Sequence, residues 1–195
     1  HRKRAGRAQR LAEKVTDLMQ DLGMQGGRFE FEVSHDDKLA PSSRGDDVLS
    51  LKVSANSGST PAPLKKVASG GELSRISLAV KIVAREHDPA TTQIFDEVDA
   101  GIGGETAHAV GALLKNLAGS GQALCVTHLA QVAVFADHQL QVSKADDGVS
   151  TVVETVVLEK EQRVDEVARM LGGQLSDQSR ANAAELLKEA AQTLH

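Results

Sequence analysis

Two short apolar runs, Thr92–Phe95 and Ala123–Thr127, are separated by one helical pattern, and this arrangement leaves the chain few ways to fold. Neither run is long enough to be a core helix, and both read as buried strands. A tight turn can join antiparallel strands, whereas a crossover that includes a helix joins parallel ones. The expected result is an α/β layer built on a parallel pair. In open sheets of that kind ligands collect beyond the carboxyl ends of the strands, so the residues after Phe95 and at Thr127 carry the functional question.

The rest of the chain supplies the cover. Leu11, Val15, Leu18, Met19 and Leu22 recur at helical spacing among charged residues and predict an amphipathic helix that stops at Gly23. Phe29, Phe31 and Val33 alternate with Glu30 and Glu32, and Leu49, Leu51 and Val53 repeat the alternation, so two half-buried strands are expected to pair. Asn56–Pro63 reads as a loop and Leu73–Val83 as a largely buried helix. A glycine-rich turn, Gly101–Gly104, opens the crossover helix, which runs to about Leu117. His138–Ser143 and Val149–Leu158 flank Asp147-Gly148, which predicts an antiparallel hairpin at a sheet edge. The remainder reads as helix, broken at Gly172-Gly173.

Composition excludes several classes. A length of 195 residues suits one core, and a net charge of -5 leaves room only for local basic patches. The clearest is Arg2, Lys3, Arg4, Arg7 and Arg10, read as solvated cations on one side of a helix, with phosphate binding as the other option. With no Trp, no Tyr and four Phe, a base-stacking platform is not expected. The single Cys125 lies among apolar neighbours and reads as a buried structural thiol in a reducing cytoplasm. No apolar run approaches the ~20 residues that span a bilayer, so no membrane partner is expected. The chain starts at His1 within a basic amphipathic stretch and reads as a piece of something longer.

Three segments carry chemistry. Ser69-Gly70-Gly71-Glu72 precedes a helix; its glycines permit close backbone approach, Ser69 offers a hydroxyl, and free N–H groups favour an anion. The same residues also describe an ordinary serine N-cap with a glycine turn. Asp96-Glu97 ends the first parallel strand. Asp96 would hold Mg²⁺ directly or through water, and Glu97 would orient or deprotonate an attacking water, against the plainer reading of an acidic turn before a helix. Thr127-His128 ends the second strand, where His128 is either a hydrogen-bonded structural residue or a donor to a terminal phosphoryl group. Other patterns fail. Thr106 replaces the third glycine of a dinucleotide fingerprint after Gly101-Ile102-Gly103, no HExxH or paired-cysteine pattern occurs, and no serine sits in GxSxG.

In order and spacing, these segments with Asp99 resemble the second half of an ABC-type ATPase: signature motif, Walker B, D-loop and H-loop. Pro63-Leu64 leading into Val67–Arg75, then Phe95–Gly101 and Val126–Ala133, are similar to the bacterial RecN family of SMC-like DNA repair ATPases, as is Glu166–Gly173, for which the residues suggest no mechanism. The resemblance implies an α/β fold, the carboxy-terminal lobe of an ABC-type ATPase head: a P-loop NTPase-like mixed sheet with flanking helices. Residues 1–24 would be the stump of a coiled-coil arm and residues 25–195 the carboxy-terminal half of the head. It implies ATP and Mg as cofactors, Glu97 and His128 as catalytic residues, Asp96 at the metal, and Ser69, Gly70, Gly71, Glu72 and Asp99 at the nucleotide. The implied partners are the amino-terminal half of the same protein, a second head engaged through ATP, and DNA, in the cytoplasm at the nucleoid.

One element of that family is missing from the sequence. GxxxxGK[ST], the loop that cradles the phosphates, occurs nowhere, as expected if it lies in a preceding half, so this chain alone is expected not to hydrolyse ATP. Two rival readings stand beside this one: another ABC-class ATPase, including a transporter subunit, and a non-catalytic DNA-binding or dimerisation module.

Overall fold

The computed structural model describes residues 1–35, 43, 45–54, 56–64, 69–84, 92–119, 121–146, 151–172 and 174–192, with backbone alone for residues 145, 146 and 151. Helix α1, Arg2–Asp21, buries Ala8, Ala12, Val15 and Met19 along one stripe and ends where Gly23 takes φ 76°. Leu22 and Met24 complete its contribution to the main core. The turn that follows is closed by Gln20, whose side chain accepts the Gly26 N–H and donates to the Gly27 carbonyl. Thr16 Oγ1 accepts the Phe29 N–H at 3.0 Å, fixing the helix to the next strand.

Strands β1, Arg28–His35, and β2, Asp47–Ser54, pair antiparallel, with Phe29 opposite Val53 and Val33 opposite Leu49, so the expected partnership holds. Phe29 and Val53 are buried beside α1, while Leu49 at the far end is 58% exposed, because the core does not extend that far. Asn56–Pro63 was expected to be loop throughout. Instead Ala62–Pro63 forms a short β3 on β2, where an edge strand tolerates a residue with no N–H.

Helix α2, Gly70–Ala84, buries Ile76, Leu78 and Ala79 in the same core but leaves Leu73 42% exposed. Strands β4, Thr92–Phe95, and β5, Gln122–Cys125, form the expected parallel pair, joined through α3, Gly104–Ala118. The expectation that both strands are buried is not met. Phe95 faces the core at 5% exposure, but Ile94, Leu124 and Val126 on the other face are 73%, 41% and 64% exposed. Side chains alternate across a strand, and only one face of this pair is covered among the described residues. β5 also stops at Cys125, short of Thr127, although the Val126 N–H still donates to the Phe95 carbonyl.

Beyond α4, Ala130–Ala133, strands β6, Leu140–Asp146, and β7, Thr151–Val157, pair antiparallel as a sheet of two among the described residues. The predicted hairpin is present, with ends shifted from His138–Ser143 and Val149–Leu158; its Asp147-Gly148 turn lies outside the described residues. Helices α5, Lys160–Met170, and α6, Asp177–Gln192, close a second core of Ala130, Val134, Phe135, Val167, Ala168, Ala183 and Ala190. The break between them falls at Gly172, φ 84°, with Gly173 outside the described residues. Among the described residues no helix is long and apolar enough to cross a membrane.

Candidate functional site

At the start of α2, Ser69 and Glu72 cap each other. The Glu72 carboxylate accepts the Ser69 N–H at 2.9 Å and the Ser69 hydroxyl at 3.1 Å, and the Glu72 N–H points back at Ser69 Oγ at 3.4 Å. This is the reciprocal pattern of a capping box, so the plainer reading of the segment is realised in this chain. Ser69 and Gly70 are nevertheless exposed, which leaves the helix start accessible to an anion. Val67 and Ala68, quoted in the family resemblance, lie outside the described residues. The two glycines have a role that their sequence did not show. A Cβ at Gly71 would lie 2.9 Å from Ala100 Cβ and 3.1 Å from the Glu97 carbonyl oxygen, and one at Gly70 would lie 2.8 Å from Glu97 Oε2. The close approach they allow is first to the chain's own Asp96–Ala100 loop.

Parallel pairing brings the other candidates to one edge. Asp96 and Glu97 follow β4, Thr127 and His128 follow β5, and Phe95 is in register with Cys125. Asp96, Glu97 and His128 are exposed there, the His128 side chain at 72%. Glu97 adopts φ 55°, a left-handed conformation unusual for a residue with a side chain and common at functional loops. Asp99 points inward. At 2% exposure its Oδ2 accepts the Thr127 hydroxyl at 2.5 Å and the His128 N–H at 3.0 Å, and lies 3.2 Å from His128 Nδ1. That contact orients the ring and directs Nε2 away from Asp99.

Asp96, read from the sequence as the Mg²⁺ ligand, is exposed at this edge. A single carboxylate suits Mg²⁺, which keeps several waters and takes one or two carboxylates together with substrate phosphates. The described residues contain one cluster with metal-ligand spacing, His35, Asp46 and Asp47, on the β1–β2 hairpin. Asp47 there also accepts Arg4 Nη1 at 2.7 Å and contacts His1.

Two residues beside the site were given no role from sequence, and two other segments gain detail. Ser74 Oγ donates to the Asp96 carbonyl at 2.8 Å, and the buried Arg75 guanidinium donates to the carbonyls of Ala100 at 2.9 Å and Val98 at 3.5 Å. Both sit in the Ser69–Arg75 run, so their position was visible and their partners were not. Cys125 is partly buried, its thiol pushed up to about 12 by desolvation and by the charges of Asp99 and Asp96. The Glu166–Gly173 segment gains a structural account. Glu166 accepts two bonds from Arg169, at 2.7 and 2.8 Å, and one from Gln141 of β6 at 2.6 Å, while Val167 and Ala168 are fully buried.

No protein-family model matches the chain. The DNA repair protein RecN of Vibrio cholerae is 44% identical over 188 residues, which is 96% of this chain and 34% of that protein. Among solved structures, the Smc head domain with a coiled coil and joint from Pyrococcus yayanosii superposes with a TM-score of 0.60 at 22% identity, over 83% of this chain and 28% of that one. A structure from work on ATP-driven dimerization and DNA-stimulated activation of SMC ATPases gives a TM-score of 0.52 at 19% identity, over 85% of this chain and 93% of that one. At such identities these likenesses show the fold alone, a mixed α/β arrangement like that of SMC head domains. The chain spans about a third of the length of the curated relative it matches. Over nearly its whole length the chain is similar to the carboxy-terminal part of RecN proteins.

Proposed function

We propose that this chain is the carboxy-terminal half of the ATPase head of a RecN-type DNA repair protein, and that it works only when an amino-terminal half supplies the phosphate-cradling loop. The observation that carries this reading is the shared edge of β4 and β5, where Asp96, Glu97 and His128 are exposed together beside the start of α2. Mg²⁺ bound at Asp96 would neutralise charge on the phosphate oxygens. Glu97 is the base that orients and deprotonates water, a role worth ~10²–10⁴-fold in rate. His128, held by Asp99, turns a donor toward the terminal phosphoryl group. Ser69 to Glu72 meet the nucleotide of a second head, and Asp99 contributes by fixing His128. Residues 1–24 are the stump of an arm, DNA is the substrate bridged or bound, and the protein works in the cytoplasm at the nucleoid.

The exposed Ile94, Leu124 and Val126 support the half-head reading. Parallel strands occur almost always with both faces covered, and a parallel pair with one bare apolar face is short of neighbours. The test measures phosphate release from ATP by this chain, by the amino-terminal half, and by the co-purified pair, with the phosphate-loop Lys→Ala partner as control. Turnover is expected only in the intact pair. Robust turnover by the chain alone, indifferent to the control, sinks the proposal. The exposed cations Arg2, Lys3, Arg7 and Arg10 favour a second reading, a DNA-binding module. Steeply salt-dependent DNA binding by the chain, with no ATP turnover in the pair, would establish it instead.

A further inference from the structure

Glu97 stands in a loop whose backbone is gripped from two sides. We infer that Arg75 and Ser74 are positioning residues for Glu97, fixing it through the carbonyls of the Asp96–Ala100 loop, so that the start of α2 and the catalytic loop move as one body. The inference deepens the ATPase reading and rests on it.

Arg75 is 5% exposed, and its described hydrogen-bond partners are the neutral carbonyls of Val98 and Ala100; its Nε has no partner among the described residues. Burial pulls its pKa down, and the charge of Glu72 acts in the opposite direction. A buried cation of this kind is a costly way to fill space, and an apolar side chain of similar volume would pack there at lower cost. What it adds is geometry. Together with Ser74 Oγ on the Asp96 carbonyl, two consecutive residues of α2 occupy three carbonyls of a five-residue loop, and the Glu97 carbonyl accepts the Ala100 N–H at 3.1 Å. Gly70 and Gly71 bring α2 close enough for these bonds to form. On the other side Thr127 and His128 hold Asp99.

A residue in the left-handed region persists only where its surroundings over-determine it, and Glu97 at φ 55° is the residue this grip over-determines. The same helix start carries Ser69, three residues before Glu72 and on the accessible end of α2. A displacement at Ser69 is therefore passed to Glu97 through bonds about one and a half turns away.

The test is a double-mutant cycle in the full-length protein, with ATP turnover and ATP-dependent sedimentation as readouts. Arg75→Met is expected to lower kcat on the order of 10²-fold, the effect of a small misplacement of a reacting group. KM for ATP and self-association should be retained, since ground-state binding is untouched. Arg75→Lys, which keeps one donor for Ala100, should recover part of the loss. In a Glu97→Gln background, adding Arg75→Met should leave the residual turnover unchanged, because the positioned group is already gone. Multiplied losses, a raised KM with kcat intact, or lost ATP-dependent association would each overturn the inference. If Arg75→Met does not fold, Ser74→Ala carries the same cycle through the Asp96 carbonyl. Wild-type turnover in the Glu97→Gln parent would remove Glu97 from the catalytic role and overturn the inference, whereas absence of turnover in the wild-type full-length protein would overturn the ATPase reading. A Glu97→Gln parent with low residual turnover that Arg75→Met lowers further overturns only the inference.

Discussion

A methyl group at position 71 would meet Ala100 Cβ at 2.9 Å and the Ala100 carbonyl at 3.0 Å, so Gly71 cannot change without moving the loop that carries Glu97. Gly71→Ala is expected to destabilise the head by ~1–3 kcal/mol, the usual range for overpacking, and to lower turnover in the assembled protein. Chemical denaturation and phosphate release check the two effects separately. Glu97→Gln should retain ATP binding and lose hydrolysis, because the amide keeps shape without the basic charge. An ATP-stabilised dimer should then accumulate on sedimentation, and undiminished turnover would remove Glu97 from its role. At this scale the sequence was informative about identity: the exposed edge carries Asp96, Glu97 and His128, each singled out by its place after a strand. It was silent on the partners of Arg75, Ser74 and Thr127, which are carbonyls and a carboxylate more than twenty residues away in the chain.

Elements in this chain are joined by a few specific contacts, and two of them make good tests. Gly111 lies inside α3, where glycine ordinarily weakens a helix by ~1 kcal/mol relative to alanine. Here a Cβ would run into the Phe135 ring, so Gly111→Ala should destabilise despite the better propensity. A lower thermal midpoint is the expected result, and a higher one would show that Phe135 can turn aside. The second contact ties α5 to β6 through Glu166. Hydrogen bonds from Arg169 are the main cause that holds its carboxyl below the usual 4.5, with Arg169's charge and Gln141 assisting against desolvation. For an acid so depressed, the contribution to stability is present above the unfolded-state pKa and is lost as pH falls through the folded one. Glu166→Gln should therefore cost about 1 kcal/mol at neutral pH, discounting for the exposure of Arg169, and the gap from wild type should close in acid. Denaturation curves at pH 7 and pH 3 measure it; a gap that is the same at both would sink the account.

At the scale of the molecule, the described residues form two cores and three small sheets, and the parallel pair between them has one uncovered face. Ile94→Asp places a charge on that face, where it is solvated in the isolated chain and would be desolvated under a covering half. It should leave the fold of this chain intact while abolishing co-purification with the amino-terminal half and the ATPase activity of the pair. Circular dichroism and pull-down distinguish the two effects, and normal co-purification would show that this face is not the one covered.

What the sequence determined by itself was local. Periods of two and of about 3.6 residues named the strands and helices, Asp-Gly marked the hairpin, and a helix between two apolar runs required parallel pairing, because these follow from the geometry of neighbouring residues. What the tertiary structure decided was everything that depends on the other side of a surface. Thr92–Phe95 reads as buried because its residues are apolar, but burial needs a cover, and only Phe95 has one among the described residues. Asp99 is placed at the site by the family resemblance, but its carboxylate turns inward to Thr127 and His128, a contact between strands that no local pattern encodes.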